Sequence, residues 1–279
     1  IMSTEGLPPL QLLREVMGYD GLLTFLHDSN ATLVVAGDVS MAELRPLLEQ
    51  SFGEWRGAAA PKKALPAATP GGLGMVYLID KPDAPQSVIL VGQVAANGAR
   101  ADDLALETVM RNFGGMATSR LNRNLRLDKH WSYGTWGGLA SARGPRAFSV
   151  IAPVQTDRTK EAMLEIRKEI EGLAGARPLA GEELDSILRS QVSRLPGRFE
   201  TLNSLLAAGL DVVNVGRDPA YYTDYAKRMR AVDGAQMNAA AAEIVRPEEL
   251  LWVIVGDLAK IEAGVRELGF GEVVKAQAE

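Results

Sequence analysis

The 279-residue chain contains two histidines, His27 and His130, and no cysteine. A zinc centre needs three or four N, S or O ligands, usually with a closely spaced pair on one element. Two histidines this far apart do not supply one, and disulfides are impossible. No G-x-S-x-G elbow is present, and neither histidine lies beside a serine that a carboxylate could help activate. His27, at the end of an amphipathic stretch, reads as a surface or capping residue, and His130, after Asp128-Lys129, as a solvated helix end. The glycine-rich pieces at 113–115 and 134–138 contain neither G-x-G-x-x-G nor G-x-x-x-x-G-K-[ST], so a nucleotide site has no support. Gly114 and Gly115 read instead as a helix stop and the entry to the next helix. What remains is a basic cluster. Arg111, Arg120, Arg123, Arg126 and Lys129 stand against Asp128 alone. Such a patch is either a solvated helix face or a surface for peptide carbonyls, C-terminal carboxylates or an acidic partner. No interleaved aromatics stack across the helix that carries it, which argues against a phosphate backbone as ligand.

The elements that carry this cluster follow from composition and pattern. Hydrophobic residues make up 47% and charged residues 23%, which excludes wholesale disorder. Thirty Lys+Arg against 35 Asp+Glu give a net charge of −5, where a nucleic-acid binder is normally basic. No apolar run approaches the roughly 20 residues of a membrane span, and no basic-then-apolar signal-peptide pattern opens the chain.

Two stretches echo each other. LVVAGDVSMAELRPLLEQSFGEW (33–55) aligns with WVIVGDLAKIEAGVRELGFGEV (252–273), sharing Val34/Val253, Gly37/Gly256, Asp38/Asp257, Glu43/Glu262, Glu49/Glu267, Phe52/Phe270, Gly53/Gly271 and Glu54/Glu272. Each copy reads as a short strand, a Gly-Asp turn, an amphipathic helix and an aromatic-glycine stop. The second copy closes a unit that begins near Met75, whereas the first lacks most of the unit that should precede it. The expected division is therefore a C-terminal fragment of a first domain over 1–55, an Ala/Pro/Gly-rich linker over 56–74, and a complete second domain over 75–279.

Within 75–279, residues 75–80 and 86–94 read as strands around a proline-containing turn, and 135–141 with 147–154 as a hairpin tipped by Arg143-Gly144-Pro145. Helices are expected over 102–112, 119–129, 157–173, 181–195, 198–213 and 220–244, before the closing strand and helix. Strands with helices clustered between them predict an α+β two-layer sandwich of antiparallel sheet and helices. In the fragment, the strand has lost its sheet, leaving an open edge able to pair with a second copy of the chain.

The block FGGMATSRLNRNLRLDKHWSYGTWGGL (113–139) resembles the second-domain signature of the pitrilysin/insulinase family of zinc metallopeptidases. Gly114, Gly115, Ser119, Arg120, Leu121, Leu125, Arg126 and Tyr133 fill that signature. NATLVVAGDVSMAELRPLLEQSFGEW (30–55) resembles the family's domain ending, and KPDAPQSVILVG (81–92) its second-domain hairpin. The resemblance implies a metallopeptidase or mitochondrial-processing-peptidase-like fold, in which two halves of two homologous α+β domains form a clam shell. It places zinc on the H-x-x-E-H motif of one half, and that motif is absent from this chain.

In the family, the zinc-free half presents an arginine and a tyrosine seven apart toward the active site, and Arg126 and Tyr133 match. The resemblance thus implies that Tyr133 donates to the substrate carbonyl while Arg126 orients Tyr133 and grips the peptide. It implies a zinc-bearing half as partner, in the same parent chain or as a separate subunit, and unstructured peptides as substrates. Zinc would lie in that parent or partner and no cofactor in this chain, which would be inactive alone. Bacterial members with exported parents point to the periplasm. The alternative is a non-catalytic structural homologue with no peptidase role.

Overall fold

Alternating burial turns apolar segments into strands with one face inward. In the computed structural model, which describes residues 30–56, 73–97, 103–142 and 144–277, six such strands form one sheet. They are β1 (Met75–Asp80), β2 (Gln86–Asn97), β3 (Trp136–Leu139), β4 (Pro145–Gln155), β5 (Leu251–Gly256) and β6 (Glu272–Ala276), in the order β3-β4-β2-β5-β1-β6. His27, residues 57–72 of the expected linker and the hairpin tip at Arg143 lie outside the described residues.

The α+β two-layer sandwich is present, and its sheet is mixed rather than wholly antiparallel. β2 pairs antiparallel with β4 and β5, and β3 antiparallel with β4, whereas β1 pairs parallel with both β5 and β6. Parallel neighbours need a crossover connection. The Leu258–Glu267 helix carries the chain from β5 past β1 to β6, on the other side of β1, burying Leu258, Ile261 and Val265 against the core. Sequence alternation reports which residues face inward but is blind to strand direction, which is why this pairing is not visible in it.

Helices from the sheet's own compact unit cover its inner face in one layer, whereas the Met41–Phe52 helix and most of the Leu202–Val215 helix belong to a second unit. In chain order, α1 (Met41–Phe52) precedes the sheet; α2 (Asp103–Gly114) and α3 (Arg120–Asn122) follow β2, and α4 (Thr159–Glu171) and α5 (Gly181–Ser193) follow β4. Then come α6 (Leu202–Val215), α7 (Tyr225–Ala231), α8 (Gly234–Ile244) and α9 (Leu258–Glu267). Ile89, Val91, Phe148, Val150, Trp252 and Ile254 point from the sheet into this layer and meet Leu106, Phe113, Ile166 and Met237 from the helices. Each such side chain, fully buried, stabilises the fold by about 1.5–3 kcal/mol. The helix expected over 220–244 is two helices. Asp233 caps α8, accepting from the backbone N–H of Gln236 while the Gln236 side chain returns to the Asp233 backbone, so the chain breaks there.

A second compact unit groups Ile1–Ala67 with Arg198–Val213. Its described residues contain α1, whose cap at Ser40 is closed reciprocally by Glu43. They also contain a tight approach of Gly209 to Val34, where an added Cβ would fall 2.7 Å from Val34 Cγ1. The stretch before α1, expected as a strand by analogy with β5, forms no ladder among the described residues, and Leu33 and Val35 are exposed. A strand is defined by its neighbours, and among the described residues the same sequence pattern meets none. No described helix is long and apolar enough to cross a membrane.

Candidate substrate-contact site

The site begins where a helix ends against a strand. At the end of α2, a Cβ on Gly114 would lie 2.4–2.5 Å from the backbone N, Cα and O of Gly137 in β3. Gly137 itself is hemmed in by Leu121, Phe113 and Val150. The pair of glycines expected as a helix stop is therefore a close approach of two backbones, which only residues without side chains allow.

From there the chain turns through Ser119 into α3, and Leu121 and Leu125, both fully buried, pin this segment to the core. The helix widens over Arg123–Asp128 into a π turn. It is closed by the backbone N–H groups of Trp131 and Ser132, which donate to Leu125 O at 2.9 and 3.3 Å. His130 takes a left-handed backbone at φ 58, and its Nδ1 lies 3.1 Å from Arg126 O. Its role is local termination, as expected for a solvated helix end.

The basic cluster does not form one face. Arg120 turns inward, donating from Nε and an Nη to both carboxylate oxygens of Glu183 at 2.7 Å and from its other Nη to Arg177 O at 2.7 Å. Lys129 pairs with Glu165 at 3.3 Å and lies 5.0 Å over the Trp131 ring. Arg123 and Arg126 stay exposed with no ion-pair partner among the described residues.

Two carboxyls that hold this scaffold are kept below the usual glutamate range. For Glu183, burial pushes its carboxyl up, but hydrogen bonds from Arg120 and Asn112 outweigh that. For Glu165, burial is likewise outweighed by Asn124 and Lys129. Because the folded value is depressed, each contribution is complete above the ordinary value of 4.5 and is lost as pH falls below it. Thermal melts of the chain are therefore expected to drop on acidification through this window, and Glu183→Gln should flatten the slope. An unchanged slope in that variant would show that the pair carries none of it.

Beyond the π turn, Tyr133 sits at the apex of a short loop and is 91% exposed. Ser132 Oγ donates to Gly134 O at 3.0 Å and accepts from the Gly134 N–H at 3.1 Å, which shapes the turn. Arg126 and Tyr133 line one cavity of about 430 Å3 together with Met116, Asn122, Trp136 and Pro153. No hydrogen bond joins Arg126 to Tyr133 among the described residues, and both side chains are exposed. A guanidinium and a phenol opening on one partly apolar cavity can donate to a peptide backbone while a side chain rests on Trp136 and Met116. Nothing in the local pattern singled out Asn122 or Thr135, whose pairing across the cavity floor is a tertiary contact. No group of three His, Cys, Asp or Glu side chains that could hold a metal occurs among the described residues.

Residues 22–190 match the family described as the peptidase M16 inactive domain. Among solved structures, a peptidase M16 inactive domain from Pseudomonas fluorescens is similar at 15% identity and TM-score 0.66, over 79% of this chain and 52% of that one. A protease from Helicobacter pylori is similar at 17% identity and TM-score 0.70, over 79% and 53%. The periplasmic protease PqqL from Escherichia coli is similar at 14% identity and TM-score 0.64, over 79% and 24%. The chain thus spans about half the length of the first two, and at these identities the likeness is one of fold. No curated protein sequence matched. With the family match covering more than half of the chain, from the unit of α1 through β4 to α5, the chain belongs to the M16 or pitrilysin/insulinase peptidase family as an inactive domain.

Proposed function

We propose that this chain is the zinc-free wall of an M16-type peptidase chamber and that Arg126 and Tyr133 contact the substrate there. The observation that carries the reading is that both side chains, seven residues apart, open on one cavity with no partner for either donor group among the described residues. Peptide hydrolysis develops negative charge on the scissile carbonyl oxygen, and donors fixed in advance lower that barrier. Tyr133 donates its hydroxyl to that oxygen, and Arg126 holds an adjacent backbone carbonyl. Metal chemistry belongs to a partner half bearing H-x-x-E-H, and extended peptides small enough to be enclosed are the substrates.

In the protease assembled with its H-x-x-E-H half, Arg126→Ala should raise KM for an extended peptide roughly tenfold or more, the value of a charged hydrogen bond. Zinc content should stay unchanged. Identical KM and kcat in this variant would remove Arg126 from the substrate contact.

A further inference from the structure

The proposed role of Tyr133 requires that its loop be held, yet neither Arg126 nor any other side chain bonds the Tyr133 hydroxyl among the described residues. The loop is held instead at Thr135. The Asn122 side chain, only 5% exposed, donates from Nδ2 to Thr135 O at 2.8 Å and accepts from the Thr135 N–H at Oδ1 at 2.9 Å. The same Nδ2 reaches Met116 O at 2.9 Å and Ser119 Oγ at 3.3 Å. One amide thus pairs with both backbone groups of Thr135, as a neighbouring strand would, and ties them to the turn that leads into α3. Thr135 Oγ1 is buried without a hydrogen-bond partner, a cost that local sequence would not choose. Its backbone is set by Asn122, not by its own side chain.

We propose that Asn122 is the positioning residue for Tyr133, a clamp that fixes the base of the 133–135 loop and so the point from which the phenol reaches a bound peptide. The proposal rests on the substrate-contact reading of Tyr133. Asn122 lies on α3, whose neighbours Leu121 and Leu125 are fully buried. Its amide therefore transfers the position of the core to the loop. An ångström of misplacement at a reacting centre costs on the order of 10²-fold in rate.

The test is a double-mutant cycle in the assembled protease, with kcat and KM for an extended fluorogenic peptide as readout. Asn122→Ala should lower kcat by about 10²-fold with a smaller change in KM. Adding it to Tyr133→Phe should lower kcat little further, because its effect passes through the same hydroxyl. Effects that multiply independently would assign Asn122 a purely structural role and overturn the proposal. Unaltered turnover in Tyr133→Phe would remove the reading beneath it. Amide hydrogen exchange on the unmodified chain decides the clamp even if Asn122→Ala does not fold. The Thr135 N–H should be protected well beyond an open amide, and exchange at the rate of an unstructured loop would overturn the proposal. Where the variant folds, protection should be lost at Thr135 and kept along β2.

Discussion

Tyr133→Phe is expected to lower the kcat of the assembled protease by about 10²–10³, the usual loss when one oxyanion donor is removed. Its melting temperature and zinc content should stay where they are. The reason for this split is the exposure of the side chain. Tyr133 is 91% exposed and makes no hydrogen bond among the described residues, so its hydroxyl contributes nothing to the fold that phenylalanine would lose. A rate effect in this variant, with the melt unchanged, is therefore the mark of a contact the hydroxyl makes outside the described fold. Steady-state kinetics beside a thermal melt and a metal assay check all three expectations. If Tyr133→Phe and Arg126→Ala both turn over peptide as the unmodified protein does, the chain is a structural homologue that keeps the fold without the contact.

The second large effect is on stability. Gly114→Ala should cost about 3 kcal/mol or more, the upper part of the range for overpacking. The atoms that an alanine Cβ would strike, at 2.4–2.5 Å, are all backbone atoms of Gly137, and no rotamer change can move them aside. Relief requires the end of α2 or strand β3 to shift, and β3 is tied to β4 along Trp136–Leu139. At about 2–4 °C per kcal/mol for a domain of this size, the melting midpoint should fall roughly 6–12 °C. Gly138→Ala, one residue along the same strand, is the matched control. Its Cβ would meet only Met110 Cβ, at 4.0 Å, and the melt should hardly move. Equal melts for the two variants would mean that the helix end yields without cost.

Arg126 and Tyr133 stood out only through the family resemblance, but the alternation along 147–154 was legible because it depends on near neighbours in the chain. So was the α+β class, since burial periodicity separates helices from strands. Arg120 was not. In sequence it is one of five cations around a single aspartate, and only the fold brings Glu183 to it as a bidentate partner. Once paired, Arg120 belongs to the scaffold, and the basic face it suggested is gone. Asn122 was invisible for the same reason, since its partner Thr135 is placed by a π turn and a left-handed His130 that carry no sequence flag. The break before α8 could have been found, because Asp233 and Gln236 form a capping box at the required spacing. The strand expected before α1 shows the converse. A motif repeated faithfully from β5 does not make a strand where no neighbouring strand meets it among the described residues.

The place of β5 in the sheet has a consequence for how the chain reaches its fold. β1 pairs on both sides with strands from the far end of the chain, Val76 with Trp252 and with Val273. Until β5 leaves the ribosome, β1 has no neighbour, and the β3-β4-β2 ribbon ends at an unpaired edge. At about 5–20 residues per second, that interval lasts on the order of ten to thirty seconds during synthesis. Joining the halves then closes a very long loop in one step, which makes folding slow beside helical proteins of equal size. The nascent chain thus spends its most adhesive period waiting for residues 251–256.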